Sequence, residues 1–486
     1  MRLKTAIYLV CTGLITVSQW GLATPSLYKN EKHIEFIANS GEQTQAIEGY
    51  YMVPENRDNP TSRMIRVNYV RFSATGKIKG APIVYLAGGP GGSGIATAKW
   101  RRFPLFMALR EYGDVIALDQ RGTGASQQPD ACTSDVKIPL NKKVSEATIS
   151  AKYHQAANQC VAHWKSQGVD VKAYNTVQNA YDIDSLREHL QADKVTLWGI
   201  SYGSHLALAA MKLFPERLDK VIIASAEGLE QTVKQPAMSD KYFTDIQTVI
   251  DQQPLKGLVP NLPTLIKRVH DKLDIKPIIL EVPNKDGSKL TMLFQKQHMR
   301  MLSSMMIADP NQYLAMLIHI YLGIDSGNTD LLVQVLQRGI FKDEAISFKL
   351  MPLVMDVASG ISDSRLKLVN QQAKTSLLGD MLNFPMPMLN RFDASFDLGD
   401  TFREAPKNNI PTLLFTGTLD GRTYPQEQRS AVRGLTNLTQ VMVKNAGHNL
   451  YTSSKEVLDV MKLFLAGEKV TQSHIDLPTP DLSFNQ

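Results

Sequence analysis

Short apolar runs alternate with helical stretches along much of the chain, and this alternation limits the possible folds more than any other feature. The runs are APIVYLA, DVIALD, KVTLWGI and DKVIIAS, and after a long interval PTLLFTG and TQVMVKN. Segments with the apolar spacing of amphipathic helices lie between them, such as NAYDIDSLREHLQA. Strands that are apolar on both faces and are joined by helices form a mostly parallel sheet with helices on both faces. The sequence therefore predicts an α/β fold.

The same patterns predict the domain organisation. Two earlier segments, IEGYYMVPENR and RMIRVNYVRFSA, alternate apolar and polar residues and predict an antiparallel hairpin, so six strands precede residue 231. A methionine-rich stretch of helical pattern then interrupts the alternation. We predict two parts of one core separated, after the sixth strand, by a large helical cap, with a signal peptide before them and a tail behind: 1–23 signal peptide, 24–230 core, 231–405 cap, 406–470 core and 471–486 tail.

The first residues resemble a secretory signal peptide. Arg2 and Lys4 precede a short apolar stretch, and small residues lie near Ala23. The stretch is too short for a typical membrane-spanning helix, although an uncleaved anchor is the alternative. We therefore expect a periplasmic or extracellular protein without stable membrane insertion after cleavage.

Charge and cysteine content narrow the class further. The formal net charge of +6 would fall to +4 when Arg2 and Lys4 are removed, and no dense basic block follows, so nucleic-acid binding is not indicated. Two of the three cysteines, Cys132 and Cys160, would remain. In an oxidising compartment such a pair predicts a disulfide. Two reduced, buried thiols are the alternative.

The segment KVTLWGISYGSHLALAAM contains the pattern G-x-S-x-G centred on Ser201. The pattern alone is weak, but here a buried strand enters it and a helix rich in Leu and Ala leaves it. That is the context of a nucleophile elbow, in which a tight turn exposes the serine hydroxyl. We predict that Ser201 is a nucleophile; an ordinary glycine-rich strand–helix turn is the alternative.

A serine nucleophile needs a base, and the base needs an acid that orients it. In this architecture the chain order is serine, acid, histidine. Asp420 follows the strand PTLLFTG, and His448 follows the strand TQVMVKN. Both therefore lie where loops at the carboxyl ends of parallel strands gather. We predict a Ser201–His448–Asp420 triad.

The glycine-rich run VYLAGGPGGSG admits two interpretations. Its glycines match the dinucleotide fingerprint G-x-G-x-x-G, and they also suit a backbone that approaches a developing oxyanion. We expect the next helix to begin near Pro104, too far from the glycines for a phosphate site. The sequence thus favours an oxyanion hole formed by backbone N–H groups of Tyr202 and of Gly88 or Gly89.

Five motifs together resemble the α/β-hydrolase fold and, more narrowly, the proline iminopeptidase and tripeptidyl aminopeptidase family of serine peptidases. They are GGPGGSG, DQRGTGAS, GISYG, LDGRTYP and NAGHN, and the resemblance covers the core from about 45 to 230 and from 406 to 470. It implies the triad and oxyanion hole already named, with no metal and no organic cofactor. Secreted relatives often carry a cysteine pair where Cys132 and Cys160 stand.

The resemblance implies a peptide substrate, and an aminopeptidase must also hold a free α-ammonium group. The candidate carboxylates are Glu227 and Glu230, which leave the core beside the expected cleft, and Asp356 in the cap. Each of them can instead be a solvated or helix-capping acid. A carboxylic ester hydrolase with the same triad acting on small esters, a catalytically idle binding protein and a redox enzyme using the glycine loop are the alternatives.

Overall fold

A computed structural model describes residues 27–484 except 78, 285–286 and 390–391. The predicted signal peptide lies outside the described residues. The strands are β1 (Glu31–Ile37), β2 (Gln43–Pro54), β3 (Met64–Phe72), β4 (Ile83–Leu86), β5 (Val115–Leu118), β6 (Cys132–Lys137), β7 (Val195–Ile200), β8 (Leu218–Ala224), β9 (Ile278–Pro283), β10 (Lys289–Phe294), β11 (Ala345–Phe348), β12 (Thr412–Gly417), β13 (Leu438–Lys444) and β14 (His474–Asp476).

Helices cover the chain between these strands. They are α1 (Gly94–Lys99), α2 (Phe103–Leu109), α3 (Glu146–Ser166), α4 (Thr176–His189), α5 (Tyr202–Leu213), α6 (Pro236–Ile250), α7 (Leu262–Ile275), α8 (Lys296–Met306), α9 (Ala315–Ser326), α10 (Asp330–Leu336), α11 (Leu350–Ser359), α12 (Asp363–Ala373), α13 (Met386–Leu389), α14 (Gly399–Arg403), α15 (Pro425–Ala431) and α16 (Lys455–Ala466). Within the described ranges, no helix is both long and apolar enough to cross a membrane.

Ten strands form one sheet in the order β1-β2-β3-β5-β4-β7-β8-β12-β13-β14. The strands β2 and β3 make the predicted antiparallel hairpin, and β3 continues antiparallel to β5. From β5 to β14 every pairing is parallel. The mostly parallel sheet is therefore confirmed, and β1 and β14 extend its two edges beyond the strands that the sequence pattern singles out.

Two apolar clusters cover the two faces of this sheet. On one face the helices α3, α4 and α5 contribute Trp164, Leu186 and Leu208. On the other face α2 and α16 contribute Phe106 and Met461. Each such side chain contributes about 1.5–3 kcal/mol by leaving water. This two-sided burial explains why the central strands are apolar throughout, and it fixes the strand ends from which the site is built.

Residues 231–405, which we call the inserted segment, follow β8, the last of the six strands counted in the sequence. The segment packs in two parts. Helices α6–α10 and the hairpin β9–β10 surround a separate apolar cluster, which includes Phe243, Ile266 and Leu302. Helix α11 instead joins the main core through Met351 and Val354. Strand β11 also pairs with β6, so this later part is attached directly to the sheet-bearing region.

The predicted tail is a second link between the sheet and the inserted segment. Strand β14 pairs with the edge strand β13, and Leu482 is fully buried in the cluster of α6–α10. The side chain of Gln253 donates to Pro480 O at 2.8 Å and accepts from Leu482 N at 2.9 Å. The tail is thus ordered structure that spans both regions.

Cys132 and Cys160 form the predicted disulfide, which joins β6 to α3. Both residues are buried in the main core. Because β6 is also the strand with which β11 pairs, the bridge holds the attachment point of the inserted segment against α3.

Candidate active site

Ser201 lies in a sharp turn between β7 and α5. Its backbone has φ 54° and ψ −128°, a conformation that is uncommon for a residue with a side chain. The flanking glycines are required, because a Cβ at Gly203 would overlap Leu86 O and one at Gly199 would lie 2.5 Å from Gly203 O. The turn therefore has the strand–turn–helix geometry of the predicted nucleophile elbow.

Asp420 is held in one position by donors from its own loop. Its Oδ1 accepts from the backbone N–H groups of Arg422 and Thr423, both at 2.8 Å, and its Oδ2 accepts from the Thr423 hydroxyl at 2.7 Å. Burial opposes ionisation of the carboxyl group. The charge and hydrogen bond of His448 and the Thr423 donors outweigh burial, so the pKa of Asp420 lies below its usual range. Asp420 is therefore an ionised, fixed acceptor.

The imidazole of His448 meets that acceptor. Its Nδ1 lies 3.1 Å from both carboxylate oxygens of Asp420. The backbone of His448 is fixed as well, since its N–H donates to Ala308 O at 2.9 Å and its carbonyl accepts from the Ser225 hydroxyl at 2.7 Å. With Nδ1 engaged by Asp420, the other ring nitrogen, Nε2, is the one left to act as a base.

Ser201 and His448 line one cavity of about 730 Å³, which we call the site cavity. The glycine loop forms one of its walls. A Cβ at Gly88 would lie 3.2 Å from the Cβ of Ser201, so the loop backbone passes directly beside the serine. Gly89 has φ +128°, a conformation that favours glycine. The loop thus brings main chain, without side chains, to the serine.

Tyr202 is the first residue of α5. The first N–H groups of a helix have no acceptor within the helix, so the Tyr202 N–H points out of the turn next to Ser201. Its ring is fully buried, and its hydroxyl lies 3.5 Å from both the Thr176 hydroxyl and the Asn179 amide nitrogen.

The expectation that the helix after the glycine loop begins near Pro104 is wrong. Helix α1 begins at Gly94, within the glycine run. Its N-terminus is already occupied by a carboxylate: Asp119 Oδ1 accepts from the Ser93 hydroxyl at 2.6 Å and from Ile95 N at 3.0 Å. The preference for an oxyanion hole over a phosphate site therefore rests on this internal carboxylate and on the contact with Ser201, and no longer on helix spacing.

The three predicted ammonium-binding carboxylates have different surroundings. Glu227 is buried and paired with Lys234, whose Nζ lies 2.5 Å from Oε2. Asp356, on α11, is only partly exposed. The loss of solvent around its carboxyl group and the neighbouring charge of Glu227 raise its pKa to about 7. Glu230 instead accepts a hydrogen bond from the Ser362 hydroxyl. The structure thus brings Asp356 and Glu227 within electrostatic range of each other.

Sequence reasoning missed several charged residues around the site. Lys234, the partner of Glu227, follows it by seven residues with no motif to mark it. Arg101 and Arg102, which are consecutive in the turn before α2, line the site cavity together with Arg422 from the loop after β12. Among the described residues, no group of His, Cys, Asp and Glu is arranged to hold a metal ion.

Comparison with known proteins gives matches over both parts of the core. Residues 81–280 match the family model described as the alpha/beta hydrolase fold, and residues 399–473 match the model described as TAP-like protein. The serine protease Hip1 of Mycobacterium tuberculosis is 30% identical over 204 residues, which are 39% of this chain and 38% of that protein.

Two aminopeptidases match as well. The tripeptidyl aminopeptidase of Streptomyces lividans is 30% identical over 193 residues, covering 36% of this chain and 34% of that protein. The proline iminopeptidase of Arabidopsis thaliana is 28% identical over 158 residues, covering 32% and 30%. The chain thus spans less than two fifths of the length of each of these relatives in the matched regions.

The parallel sheet, the turn at Ser201 and the matching family model define the α/β-hydrolase fold. Within that class, the chain resembles the serine peptidases of the proline iminopeptidase and tripeptidyl aminopeptidase family.

Proposed function

We propose that the protein is a serine hydrolase that cleaves peptides through an acyl-enzyme intermediate. Ser201 Oγ attacks the scissile carbonyl carbon while His448 Nε2 takes its proton. Asp420 orients the imidazole and stabilises its charged form. The same nitrogen then gives the proton to the leaving amine, and water hydrolyses the acyl-enzyme in a second, equivalent cycle.

The N–H groups of Tyr202 and of Gly88 or Gly89 would stabilise the oxyanion that forms on the carbonyl oxygen. Removal of one donor of this kind typically costs about 3 kcal/mol in the transition state. The observation that carries the proposal is the His448 Nδ1–Asp420 pair at 3.1 Å, with Ser201 in the same cavity on a strained turn.

We propose further that the preferred substrates have a free N-terminus, as the names of the matching aminopeptidases suggest. Asp356 is the best supported anchor for the α-ammonium group. It is partly exposed, and no side-chain partner donates to it among the described residues, whereas Glu227 is already paired with Lys234. A charge-assisted hydrogen bond to an ammonium group is worth about 1.5–3 kcal/mol.

A carboxylic ester hydrolase is the second candidate, and one observation favours it. The Lys234 ammonium neutralises Glu227, so one of the two carboxylates is not available to a substrate ammonium group. An ester hydrolase needs the triad and the oxyanion hole but no ammonium site.

A matched pair of peptide arylamides, free or acetylated at the N-terminus, separates the two candidates. Acetylation removes the charge and should lower kcat/KM by roughly 10- to 150-fold, the range given by the lost hydrogen bond. Asp356→Asn should abolish most of this difference, and Glu230→Gln should preserve it. Equal rates on both arylamides, together with faster cleavage of short-chain aryl esters, would assign the protein to the ester hydrolases.

We also propose that the protein is exported to the periplasm or the exterior. The pattern of residues 1–23 and the Cys132–Cys160 bridge support this, since disulfides persist in oxidising compartments. The N-terminus of the exported protein, determined by mass spectrometry, should lie near residue 24. Full-length protein in the membrane fraction would support the anchor instead.

A further inference from the structure

The site cavity is lined by three guanidinium groups and by no carboxylate. Arg101, Arg102 and Arg422 lie on its wall with Ser201 and His448, and none of the three arginine side chains pairs with an acid among the described residues. A cluster of unpaired cations in a concave site favours an anionic ligand.

Asp356 interacts with Arg422 electrostatically without forming an ion pair, and two acids near the triad are committed to other partners. Asp420 is committed to His448 and to its own loop. Asp309 is buried, and its two oxygens accept from the backbone and the side-chain amide of Asn449 at 2.9 and 2.6 Å. Neither Asp420 nor Asp309 lines the cavity, and both carboxylates are already hydrogen-bonded.

Arg102 lies on the side of Ser201 where the leaving group of the substrate would be. His448 must protonate the leaving amine, so the leaving group lies beside its imidazole. Arg102 contacts the neighbouring residue, since its Nη2 lies 3.4 Å from Asn449 Oδ1. Its guanidinium is braced over the rings of Tyr85 and Tyr451, at 5.6 and 5.8 Å from their centroids. It is therefore oriented in advance beside the leaving-group position.

The other two guanidinium groups differ in how firmly neighbouring residues hold them. Arg422 donates to Ser304 O of the inserted segment at 3.1 Å, which holds it at the junction of the two regions. Arg101 is exposed and has no hydrogen-bonded partner within the described ranges, so its charge is available to solvent or ligand.

We propose that Arg101, Arg102 and Arg422 bind a carboxylate in the leaving-group portion of the substrate. The inference rests on the proposed peptidase function and adds a substrate class to it: short peptides that carry a carboxylate just beyond the scissile bond. That carboxylate is either the free C-terminus of the peptide or an Asp or Glu side chain. Both are planar anions that a guanidinium binds with two parallel hydrogen bonds.

The first test uses anilides that differ only in the leaving group. Trialanyl and prolyl groups are each coupled to 4-aminobenzoic acid or to 4-aminobenzamide. At low salt the carboxylate anilide should be cleaved about 10-fold faster in kcat/KM than the amide, and this preference should shrink as salt is added. Arg101→Gln and Arg102→Gln should reduce the preference by slowing the carboxylate anilide more than the amide anilide, so the ratio of the two rates is the measurement. The exposed Arg433 supplies a matched control, since Arg433→Gln should change neither rate.

Two further pairs identify the source of the carboxylate. Tetraalanine is compared with its C-terminal amide, and C-amidated peptides are compared with Glu or Gln after the scissile bond. A preference in either pair supports the proposal and names the source. Equal rates in both pairs, with normal anilide turnover, would overturn it.

Absence of turnover on every anilide would refute the peptidase function alone. The carboxylate site is then tested by calorimetry on the Ser201→Ala variant. Tetraalanine should bind more tightly than its amide, and Arg101→Gln should remove the difference. Equal affinities would overturn the inference independently of catalysis.

Discussion

The strand-end loops of the sheet and the inserted segment contribute different kinds of residue to the site. The loops after β7, β12 and β13 carry Ser201, Asp420 and His448, and hydrogen bonds fix the backbone or side chain of each residue. The inserted segment carries Asp356, the proposed ammonium anchor, a carboxylate whose ionised form is disfavoured by its surroundings. The sheet loops hold the predicted triad in a fixed geometry, and the inserted segment carries the carboxylate proposed for substrate recognition.

From this difference we expect substitutions in the strand-end loops to affect the reaction itself. Substitutions in the inserted segment should affect the choice of substrate. A triad needs reacting atoms within about 0.5 Å of a productive geometry, which short loops on a rigid sheet supply. Recognition of a charged group tolerates small displacements, because a Coulombic interaction falls off slowly with distance. The predictions below test that division.

Ser201→Ala should produce the largest effect. Loss of the nucleophile should lower kcat by about 10⁶-fold with the fold intact, since the change deletes one oxygen. A fluorophosphonate should label the wild-type protein at Ser201 and leave the variant unlabelled, as peptide mapping would check. Label on Ser93 or Ser204 instead would contradict the assignment of the elbow.

Asp420→Asn should lower kcat by about 10⁴-fold, because an amide does not stabilise the charged imidazole and favours the wrong tautomer. The variant should also be less stable at neutral pH. Since the native pKa of Asp420 lies below its usual value, the carboxylate stabilises the fold above that usual value, and this stabilisation is lost as the pH falls through the native pKa. The free energies of unfolding of the wild-type protein and the variant should therefore differ more at pH 7 than at about pH 3. An unchanged kcat in the variant would contradict the proposed catalytic role of Asp420.

Removal of the disulfide should act on stability, with activity affected only through it. A bridge across a separation of 28 residues stabilises the fold by about 3.6 kcal/mol in the chain-entropy estimate. Cys132→Ala with Cys160→Ala should therefore lower the free energy of unfolding in denaturant titrations, and reduction of the wild-type protein should do the same. Because β6 anchors β11, proteolysis of the variant should start in the inserted segment. First cleavage within the sheet would count against this attachment.

Asp356→Asn should produce the smallest change, about 10-fold, and only on substrates with a free amine. The measurement is the ratio of kcat/KM for the free arylamide to kcat/KM for the acetylated one. Because the triad acts on both substrates, its own pH dependence cancels in this ratio. Since the pKa of Asp356 is raised to about 7, this ratio should rise as the pH increases through 7, and it should be flat in the variant. A ratio independent of pH in the wild-type protein would remove Asp356 from recognition.

The stability of the same variant gives an independent check. The native pKa of Asp356 is higher than its unfolded value of about 3.8, so its ionisation destabilises the fold increasingly as the pH rises through that interval. Asp356→Asn should therefore be more stable than the wild-type protein at pH 8, and the two should be alike near pH 4. Chemical denaturation at these two pH values would measure this.

Local sequence predicted the sheet and the triad loops because both follow from chemistry within a few residues. Central strands such as β7 are apolar on both faces, and a residue at a strand end has only one place to lie. The start of α1 at Gly94 was not predictable in this way, because that short helix depends on the carboxylate of Asp119, 25 residues further along the chain. The pairing of β11 with β6 is more distant still.

The charged surroundings of the site were the least predictable part. In the sequence Asp356 is one acid among many, and nothing there indicates that Lys234 neutralises Glu227. The arginines of the site cavity come from two loops that are far apart in the sequence and lie together only in the folded protein. Long-range placement of charge depends on the tertiary structure, which no local pattern encodes.

The positive φ of Ser201 restricts which nucleophiles this lineage can evolve. A β-branched threonine is strongly disfavoured in that backbone conformation, so a change from a primary to a secondary hydroxyl would strain the turn. Cysteine has the same branching as serine and fits the same backbone. Drift at this codon can therefore exchange oxygen for sulfur while keeping the turn, whereas a threonine enzyme would have to arise on a different turn.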